Sequence, residues 1–218
     1  EVCDATCPFV AKIHGIAQRC GEAGALLLVA GDEGHPEVQG IVGHAAGPVL
    51  VFRDLDDLMA KKSEWCGDVA VWVVAQTTYQ VTKWLECAQF IKKECTRSDI
   101  FDTICSATWA KQQETEALAK RSDLVIVVGG KGSSNTKKLY SVAAAHTKAV
   151  QIEAAGELCG KTLLGARTIG ITAGASTPSS IIEEVLTTMS DVIREEAATK
   201  EENTQEVVEE TTEVAEKT

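Results

Sequence analysis

One short stretch, residues 124–139 (LVIVVGGKGSSNTKKL), constrains the fold of this chain more than any other. Its first five residues are apolar and four of them are Val or Ile, a pattern typical of a strand that is buried on both faces. A glycine-rich turn follows, and Ser133, Ser134 and Asn135 then open a segment of helical character that continues through Ala145. Because buried strands joined to helices build parallel sheets, the stretch predicts an α/β fold.

The polar residues after this turn also indicate an anion-binding site. Hydroxyl and amide side chains at a helix N-terminus lie beside unpaired backbone N–H groups and the positive end of the helix dipole. Every strand-to-helix unit needs a turn and a cap, however, so the loop alone is equally consistent with a structural role. One cap residue would satisfy the helix, and the run of three polar residues therefore favours phosphate binding modestly.

Strand-like and helix-like segments alternate along the rest of the chain, which predicts a parallel, doubly wound architecture. The predicted helices cover approximately residues 8–22, 55–62, 81–93, 107–121 and 179–194, and the further predicted strands cover residues 25–30, 49–52, 69–75, 149–152 and 168–171. From residue 195 onward the sequence is rich in Glu and Thr and has few large apolar groups. We expect this segment to be a disordered acidic tail or linker.

Two intervals recur in the two halves of the chain and set the number of domains. A spacing of 28 positions separates a Cys from the polar residue after the next strand, and 43 positions separate that residue from a second polar loop. The first half supplies Cys7, His35 and Thr78, and the second half supplies Cys105, Ser133 and Ser176. We therefore predict two pseudo-symmetric α/β domains, residues 1–103 and 104–194, followed by the tail at 195–218.

Charge and hydropathy exclude two classes of partner. The net charge is −11, and the nine Glu and two Lys of residues 195–218 account for −7 of it. The globular part has no basic stripe that could neutralise phosphates, so we expect it to bind no nucleic acid. No run approaches the roughly 18 apolar residues that span a bilayer, so we expect no membrane partner.

The cysteines offer a possible metal site. Eight are present, at positions 3, 7, 20, 66, 87, 95, 105 and 159, and the absence of a CxxC pair argues against a zinc ribbon or a thioredoxin-like site. The repeat singles out Cys7 and Cys105, which equivalent positions would bring together across a pseudo-symmetry axis. Two thiolates make a poor metal site, whereas a third from another repeat would suit an iron–sulfur cluster. The alternative is that both are small buried hydrophobic residues, as we take the other six to be.

A further set of polar residues lies on loops that correspond to the glycine-rich turn. His35 and Glu37 place a cation and a carboxyl group on one loop, and Thr77 and Ser176 place hydroxyls on equivalent loops. In isolation, a helix cap or a surface contact is the favoured role of His35 and Glu37, and Thr77 and Ser176 could equally be N-caps. If the repeat places His35 opposite Ser133, His35 becomes a candidate diphosphate contact and Glu37 a candidate proton donor.

Six motifs, in order along the chain, resemble those of the 4-hydroxy-3-methylbut-2-enyl diphosphate reductase family, the last enzymes of the non-mevalonate isoprenoid pathway. They are Asp4–Pro8, Gly34–Glu37, Gln76–Thr78, Ile104–Thr108, Ser133–Asn135 and Thr172–Ser176. The resemblance extends over residues 2 to about 190. Lys111 departs from it, since the family often has Arg at this position.

The resemblance implies a trefoil of three α/β domains, each of which contributes one Cys to a central 4Fe–4S cluster. Cys7 and Cys105 match two of these ligands, Glu37 matches the residue that relays protons, and Thr77 matches a residue near the substrate hydroxyl. The residues that match the diphosphate-binding set are His35, Ser133, Ser134, Asn135 and Ser176.

The implied reaction is the reductive dehydroxylation of (E)-4-hydroxy-3-methylbut-2-enyl diphosphate to isopentenyl and dimethylallyl diphosphate, in the cytoplasm. A ferredoxin or flavodoxin would deliver the electrons singly. We expect the family's first domain, with the third Cys ligand, to precede Glu1, and we expect these 218 residues alone to be inactive and unable to hold a stable cluster. Two other classes stay open: an iron-free module that binds a phosphorylated metabolite, and an interaction protein whose acidic tail links further domains.

Overall fold

A computed structural model describes residues 3–158, 160–163 and 165–194, in which helices and parallel strands alternate. The chain forms two compact units, Glu1–Gln113 and Glu114–Thr218. This division lies inside helix α6 (Ser106–Ala119), whereas the boundary predicted between residues 103 and 104 precedes that helix and stays a prediction. The predicted disordered tail lies outside the described residues. None of the described helices is long and apolar enough to cross a membrane.

The first unit contains a four-stranded parallel sheet. Its strands are β1 (Leu26–Ala30), β2 (Val49–Phe52), β3 (Val71–Ala75) and β4 (Ser98–Ile100), in the spatial order β2-β1-β3-β4. Its further helices are α1 (Pro8–Glu22), α2 (Pro36–His44), α3 (Leu55–Ala60), α4 (Lys62–Trp65) and α5 (Val81–Glu94).

Helices cover both faces of this sheet. Successive side chains of the central strand β1 point to opposite faces, and because they are apolar, each face must be covered by helices. Leu27 and Val29 pack in one apolar cluster with residues of α1 and α2. Leu28 and Ala30 pack in a second cluster with residues of α3 and α5. The carboxyl ends of β1 and β3 are thereby fixed side by side, and the loops that follow them carry candidate site residues.

The second unit contains a three-stranded parallel sheet in the order β6-β5-β7. Its elements after α6 are β5 (Leu124–Val128), α7 (Ser134–Ala144), β6 (Lys148–Ile152), a 3-10 turn (Ala155–Glu157), α8 (Gly160–Leu163), β7 (Ile169–Ala173) and a helix α9 over residues 179–194. Every residue of β5 is fully buried. This confirms the prediction of a strand covered on both faces.

The two sheets share one pattern of connections, in agreement with the recurring intervals of the sequence. In each, a central strand lies between the next two strands of the chain. The glycine after the central strand donates its N–H to the last residue of the neighbouring strand, Gly31 to Phe52 at 2.9 Å and Gly129 to Ile152 at 2.8 Å. The predicted α/β class, with two parallel sheets, is confirmed.

The short elements α4, α8 and the 3-10 turn were not predicted from the sequence, and neither were α2 and β4. Helix α2 begins after His35, an uncommon cap, and contains Gly40 and Gly43, which lower helix propensity. Gly40 lies against the neighbouring helix, because a Cβ built on it would lie 3.3 Å from Nε2 of His14. Strand β4 has only three residues, too few for an alternating pattern to be visible.

The glycine that follows β7, Gly174, gives a first testable prediction. A Cβ on Gly174 would lie 2.4 Å from the Thr136 hydroxyl oxygen, a distance that packed atoms cannot adopt. We expect Gly174→Ala to lower the free energy of unfolding by about 1–3 kcal/mol, as overpacking does. Gly132→Ala is the matched control, because a Cβ there meets no atom within 4 Å. Urea denaturation checks this, and equal effects of the two substitutions would contradict it.

Candidate functional site

Apart from Cys7, the candidate site residues of the first unit lie just beyond β1, β3 and β4. His35 caps α2 after β1, Glu37 lies in the first turn of that helix, and Thr77 follows β3. Cys105 lies between β4 and α6. Because parallel strands end at one edge of a sheet, residues far apart in sequence meet there.

Glu37 and Thr77 form the closest of these contacts. The Thr77 backbone N–H donates to Oε1 of Glu37 at 2.7 Å, and the Thr77 hydroxyl donates to Oε2 at 2.9 Å. Thr77 is buried and Glu37 is half-buried. Since a carboxylate can accept about four hydrogen bonds, Glu37 is held in one orientation and still has lone pairs for another partner.

His35 is held by the same helix terminus. Its Nδ1 accepts the backbone N–H of Glu37 at 3.1 Å, so the neutral ring carries its proton on Nε2. The imidazole is half-buried. This arrangement leaves one N–H donor on the ring for a ligand, and it means that His35 caps α2 as well as being a candidate contact.

Cys105 is joined to the same loop through its backbone. Its N–H donates to the Thr77 carbonyl oxygen at 3.0 Å, and its thiol is half-buried. Cys7 is an exposed free thiol at the N-terminus of α1, where its side chain makes no capping hydrogen bond. Among the described residues, no three His, Cys, Asp or Glu side chains are grouped so that they could hold a metal ion.

Two of the other cysteines, Cys20 and Cys87, differ from this pair because their thiols are buried. Burial raises the pKa of the Cys20 thiol to about 11, and burial likewise raises that of Cys87 to about 11. Metals bind the thiolate, which such groups rarely form near neutral pH. Cys159 lies outside the described residues.

The candidate anion site of the second unit lies at the N-terminus of α7. The Ser133 hydroxyl oxygen accepts the Thr136 backbone N–H at 3.3 Å, which makes Ser133 the cap of this helix. Ser134 and Asn135 follow, both half-buried, and the first turn contains no acidic residue. A helix terminus of this kind attracts anions, because its backbone N–H groups and dipole both favour negative charge.

The turn that carries Ser176 meets this helix terminus. A Cβ on Gly129 after β5, or on Gly174 after β7, would in each case lie within 3 Å of the Thr136 hydroxyl oxygen. Ser176 is exposed in the turn that begins at Gly174, where the Thr177 N–H donates to the Gly174 carbonyl at 3.0 Å. The loops after β5 and β7 therefore converge on the start of α7.

Sequence reasoning did not identify Thr136. Its hydroxyl is buried and has no hydrogen-bond partner within the part of the chain that the structure describes. The residue lies three positions after the cap Ser133, where a hydroxyl is easily taken for one more polar residue of a helix terminus. The two glycines that close around it are the signal that could have revealed it.

Lys131, the cation of the glycine-rich turn, is paired with acids of its own unit. Its ammonium group donates to Oε2 of Glu157 at 2.6 Å, and its backbone N–H donates to Oε1 of Glu153. The hydrogen bond raises the pKa of Lys131 and lowers that of Glu157. These groups are solvent-exposed, so the pair adds little to stability. The Glu157 carboxylate does, however, neutralise the positive charge of Lys131 in this loop.

His14 and His44 form a stacked pair between α1 and α2, with ring centroids 3.8 Å apart. The Nε2 atom of His14 is buried without a hydrogen-bond partner in the residues described. Burial lowers the pKa of His14, the charge of His44 lowers it further, and the Glu37 carboxylate opposes both.

This pair gives a second prediction, on pH. Because the pKa of His14 is lower in the folded than in the unfolded state, the unfolded chain takes up the proton first as the pH falls. We expect the stability that neutral His14 provides to be present above about pH 6.5 and to decline below it, and His14→Leu to flatten this decline. Urea denaturation between pH 5 and 8 measures the effect. An unchanged slope in the variant would contradict the prediction.

Sequence comparisons place these loops within a known family. The family model described as "LytB protein" matches residues 1–190. A 4-hydroxy-3-methylbut-2-enyl diphosphate reductase from Helicobacter pylori (strain P12) is 40% identical over 193 residues, covering 88% of this chain and 69% of that protein. One from Campylobacter curvus is 40% identical over 187 residues, covering 85% of this chain and 67% of that protein.

Solved structures show the same fold. A structure of (E)-4-hydroxy-3-methyl-but-2-enyl diphosphate reductase, the terminal enzyme of the non-mevalonate pathway, has a TM-score of 0.53 at 33% identity, covering 88% of this chain and 68% of that one. The E-1-hydroxy-2-methyl-but-2-enyl-4-diphosphate reductase from Plasmodium falciparum has a TM-score of 0.77 at 26% identity. That alignment covers 84% of this chain and 58% of the Plasmodium chain.

Proposed function

The chain belongs to the LytB protein family of diphosphate reductases, and from this membership we propose that it serves the reductive dehydroxylation of (E)-4-hydroxy-3-methylbut-2-enyl diphosphate. The products would be isopentenyl and dimethylallyl diphosphate. The observation that carries the proposal is the Glu37–Thr77 pair, whose carboxylate is oriented by two hydrogen bonds beside the loop that carries Cys105.

Cys7 and Cys105 are proposed as two thiolate ligands of a 4Fe–4S cluster. Both are free thiols outside the apolar core, unlike Cys20 and Cys87, so their chemistry fits the group. Two thiolates are fewer than such a cluster needs, so a further ligand would come from outside the described residues. When bound, the cluster supplies the electrons of the reaction, which a ferredoxin or flavodoxin would deliver one at a time.

The diphosphate is proposed to bind at the N-terminus of α7. The support is a helix terminus with no acid in its first turn and with hydroxyl and amide side chains at its start. The Nε2–H donor that the Glu37 N–H leaves on His35 suits a phosphate oxygen equally well. The residues proposed to contact the diphosphate are His35, Ser133, Ser134, Asn135 and Ser176.

Glu37 is proposed to carry protons to the substrate, and Thr77 to orient it. Loss of the substrate hydroxyl as water consumes protons, and a positioned carboxyl group can deliver them. The two Thr77 hydrogen bonds fix the orientation of the carboxyl group, so a proton delivered through Glu37 would reach the substrate from one direction. The Thr77 hydroxyl also lies at the carboxylate, where it can bond to the substrate hydroxyl as the family resemblance implies.

Product analysis tests the proposal. The cluster-loaded protein, as its organism makes it, is incubated anaerobically with the substrate and reduced methyl viologen as a one-electron donor. Formation of isopentenyl and dimethylallyl diphosphate in proportion to the electrons consumed is the expected result. A loaded protein that binds the diphosphate but forms neither product would contradict the proposal and favour a binding module for phosphorylated metabolites.

A further inference from the structure

The chain after β4 leaves the sheet but remains hydrogen-bonded to β3 and to the loop that follows β3. The Phe101 N–H donates to the Val73 carbonyl at 2.9 Å, and four residues later the Cys105 N–H donates to the Thr77 carbonyl at 3.0 Å. These are alternate rungs of a parallel ladder. The rung between them, at residues 75 and 103, is made differently.

The Thr103 hydroxyl replaces the missing backbone hydrogen bonds of Ala75. It accepts the Ala75 N–H at 2.8 Å and donates to the Ala75 carbonyl at 2.7 Å. Thr103 is only 2% exposed, so water does not reach these groups. A single buried hydroxyl therefore satisfies both backbone groups of Ala75, which would otherwise be left unpaired at a cost in free energy.

Gln112 holds the other side of the same segment. This buried side chain of α6 accepts the Val81 N–H at 2.9 Å through its amide oxygen, and it donates to the Tyr79 carbonyl at 3.0 Å. Residues 75–81 are thus hydrogen-bonded to Thr103 before Cys105, to the backbone of Cys105 itself, and to Gln112 after it.

We propose that Thr103, supported by Gln112, is a positioning residue for Cys105. Its hydroxyl keeps the chain in register, so that the Cys105 N–H meets the Thr77 carbonyl and the thiol keeps one place relative to the Glu37–Thr77 pair. Neither residue needs to touch a ligand to have this effect. The importance of the placement for catalysis rests on the proposed function, but the placement itself is a property of the chain without a cluster.

Thiol reactivity tests the proposal on the reduced, cluster-free chain. The rate of alkylation by iodoacetamide is measured for each Cys by peptide mass spectrometry in the parent, Thr103→Ser and Thr103→Val. Thr103→Val removes the hydroxyl and keeps the shape, so we expect Cys105 to react about tenfold faster relative to Cys7, because its segment opens more easily. Thr103→Ser keeps the hydroxyl, and its ratio should match that of the parent.

A destabilised control separates positioning from general loss of stability. Ile41→Ala creates a cavity in the other apolar cluster of the same unit, which contains no residue of the segment 103–112, and should leave the ratio of Cys105 to Cys7 unchanged. Buried Cys87 reports global unfolding in every variant. If Thr103→Val does not fold, Gln112→Met removes the second pair of bonds and should shift the ratio in the same direction.

Three results would overturn the proposal: an unchanged ratio in Thr103→Val, an equal change in Ile41→Ala, or, where Thr103→Val does not fold, an unchanged ratio in Gln112→Met. The outcome is independent of turnover. If the ratio shifts as expected while the loaded protein forms no product, Thr103 positions Cys105 and the proposed function fails.

Discussion

Glu37→Gln is expected to lower kcat by about 10²–10⁴-fold in the cluster-loaded protein, the range typical of a lost proton donor. The substitution keeps the size of the side chain, and its amide oxygen can still accept the Thr77 N–H that now binds Oε1. It cannot take up and deliver a proton at neutral pH. Because the loss concerns proton delivery rather than binding, KM should change much less than kcat.

Glu33→Gln is the matched control for this substitution. Glu33 is an exposed carboxylate on the same loop, so its replacement causes the same change in net charge. Anaerobic turnover with a saturating electron donor measures both variants, and denaturation curves confirm that both fold. A loss of less than tenfold in Glu37→Gln, or an equal loss in Glu33→Gln, would exclude Glu37 as the proton donor.

Asn135→Asp is expected to weaken binding of inorganic pyrophosphate by tenfold or more. The new carboxylate keeps the size of the side chain but places negative charge where the diphosphate is proposed to bind, and like charges in contact cost several kcal/mol. The same charge is favourable for the helix, since acids stabilise helix N-termini by about 0.3–1 kcal/mol. The variant should therefore bind less tightly while being as stable as the parent or more so.

This opposition of binding and stability distinguishes a ligand site from a structural cap. Gln89→Glu adds one negative charge on an exposed face of α5 and serves as the control for net charge. Isothermal titration with pyrophosphate gives the dissociation constants, and urea denaturation gives the stabilities. Unchanged affinity in Asn135→Asp would show that the N-terminus of α7 is capped by Ser133 and binds no diphosphate.

The fold was largely predictable because its strands are apolar and its helices follow them at regular intervals. Strand β5 reads as five apolar residues and is buried throughout. The two recurring intervals of the sequence correspond to the matching connections of the two sheets. Helix α2 could not be predicted, because its cap is His35 and because its interior contains two glycines, which have a low helix propensity.

The contacts within the site could be predicted only in part. Sequence spacing put Glu37 and Thr77 on corresponding loops, but their pairing depends on which strands are neighbours in the sheet. The role of Thr103 is invisible in the sequence, since a buried Thr after a short strand has no distinctive pattern. The roles proposed for Cys7 and Cys105 stay predictions, because a cluster ligand is defined by partners that spacing does not reveal.

The most direct test of the account is the iron and acid-labile sulfide bound per chain after anaerobic reconstitution of the protein as its organism makes it. Cys7→Ser and Cys105→Ser are compared with the parent and with Cys66→Ser, a half-buried thiol that donates to the Glu94 carbonyl instead. We expect a 4Fe–4S cluster in the parent and in Cys66→Ser, and its loss or weakening in the other two. Equal iron and sulfide in all four proteins would contradict the central claim that Cys7 and Cys105 hold the cluster.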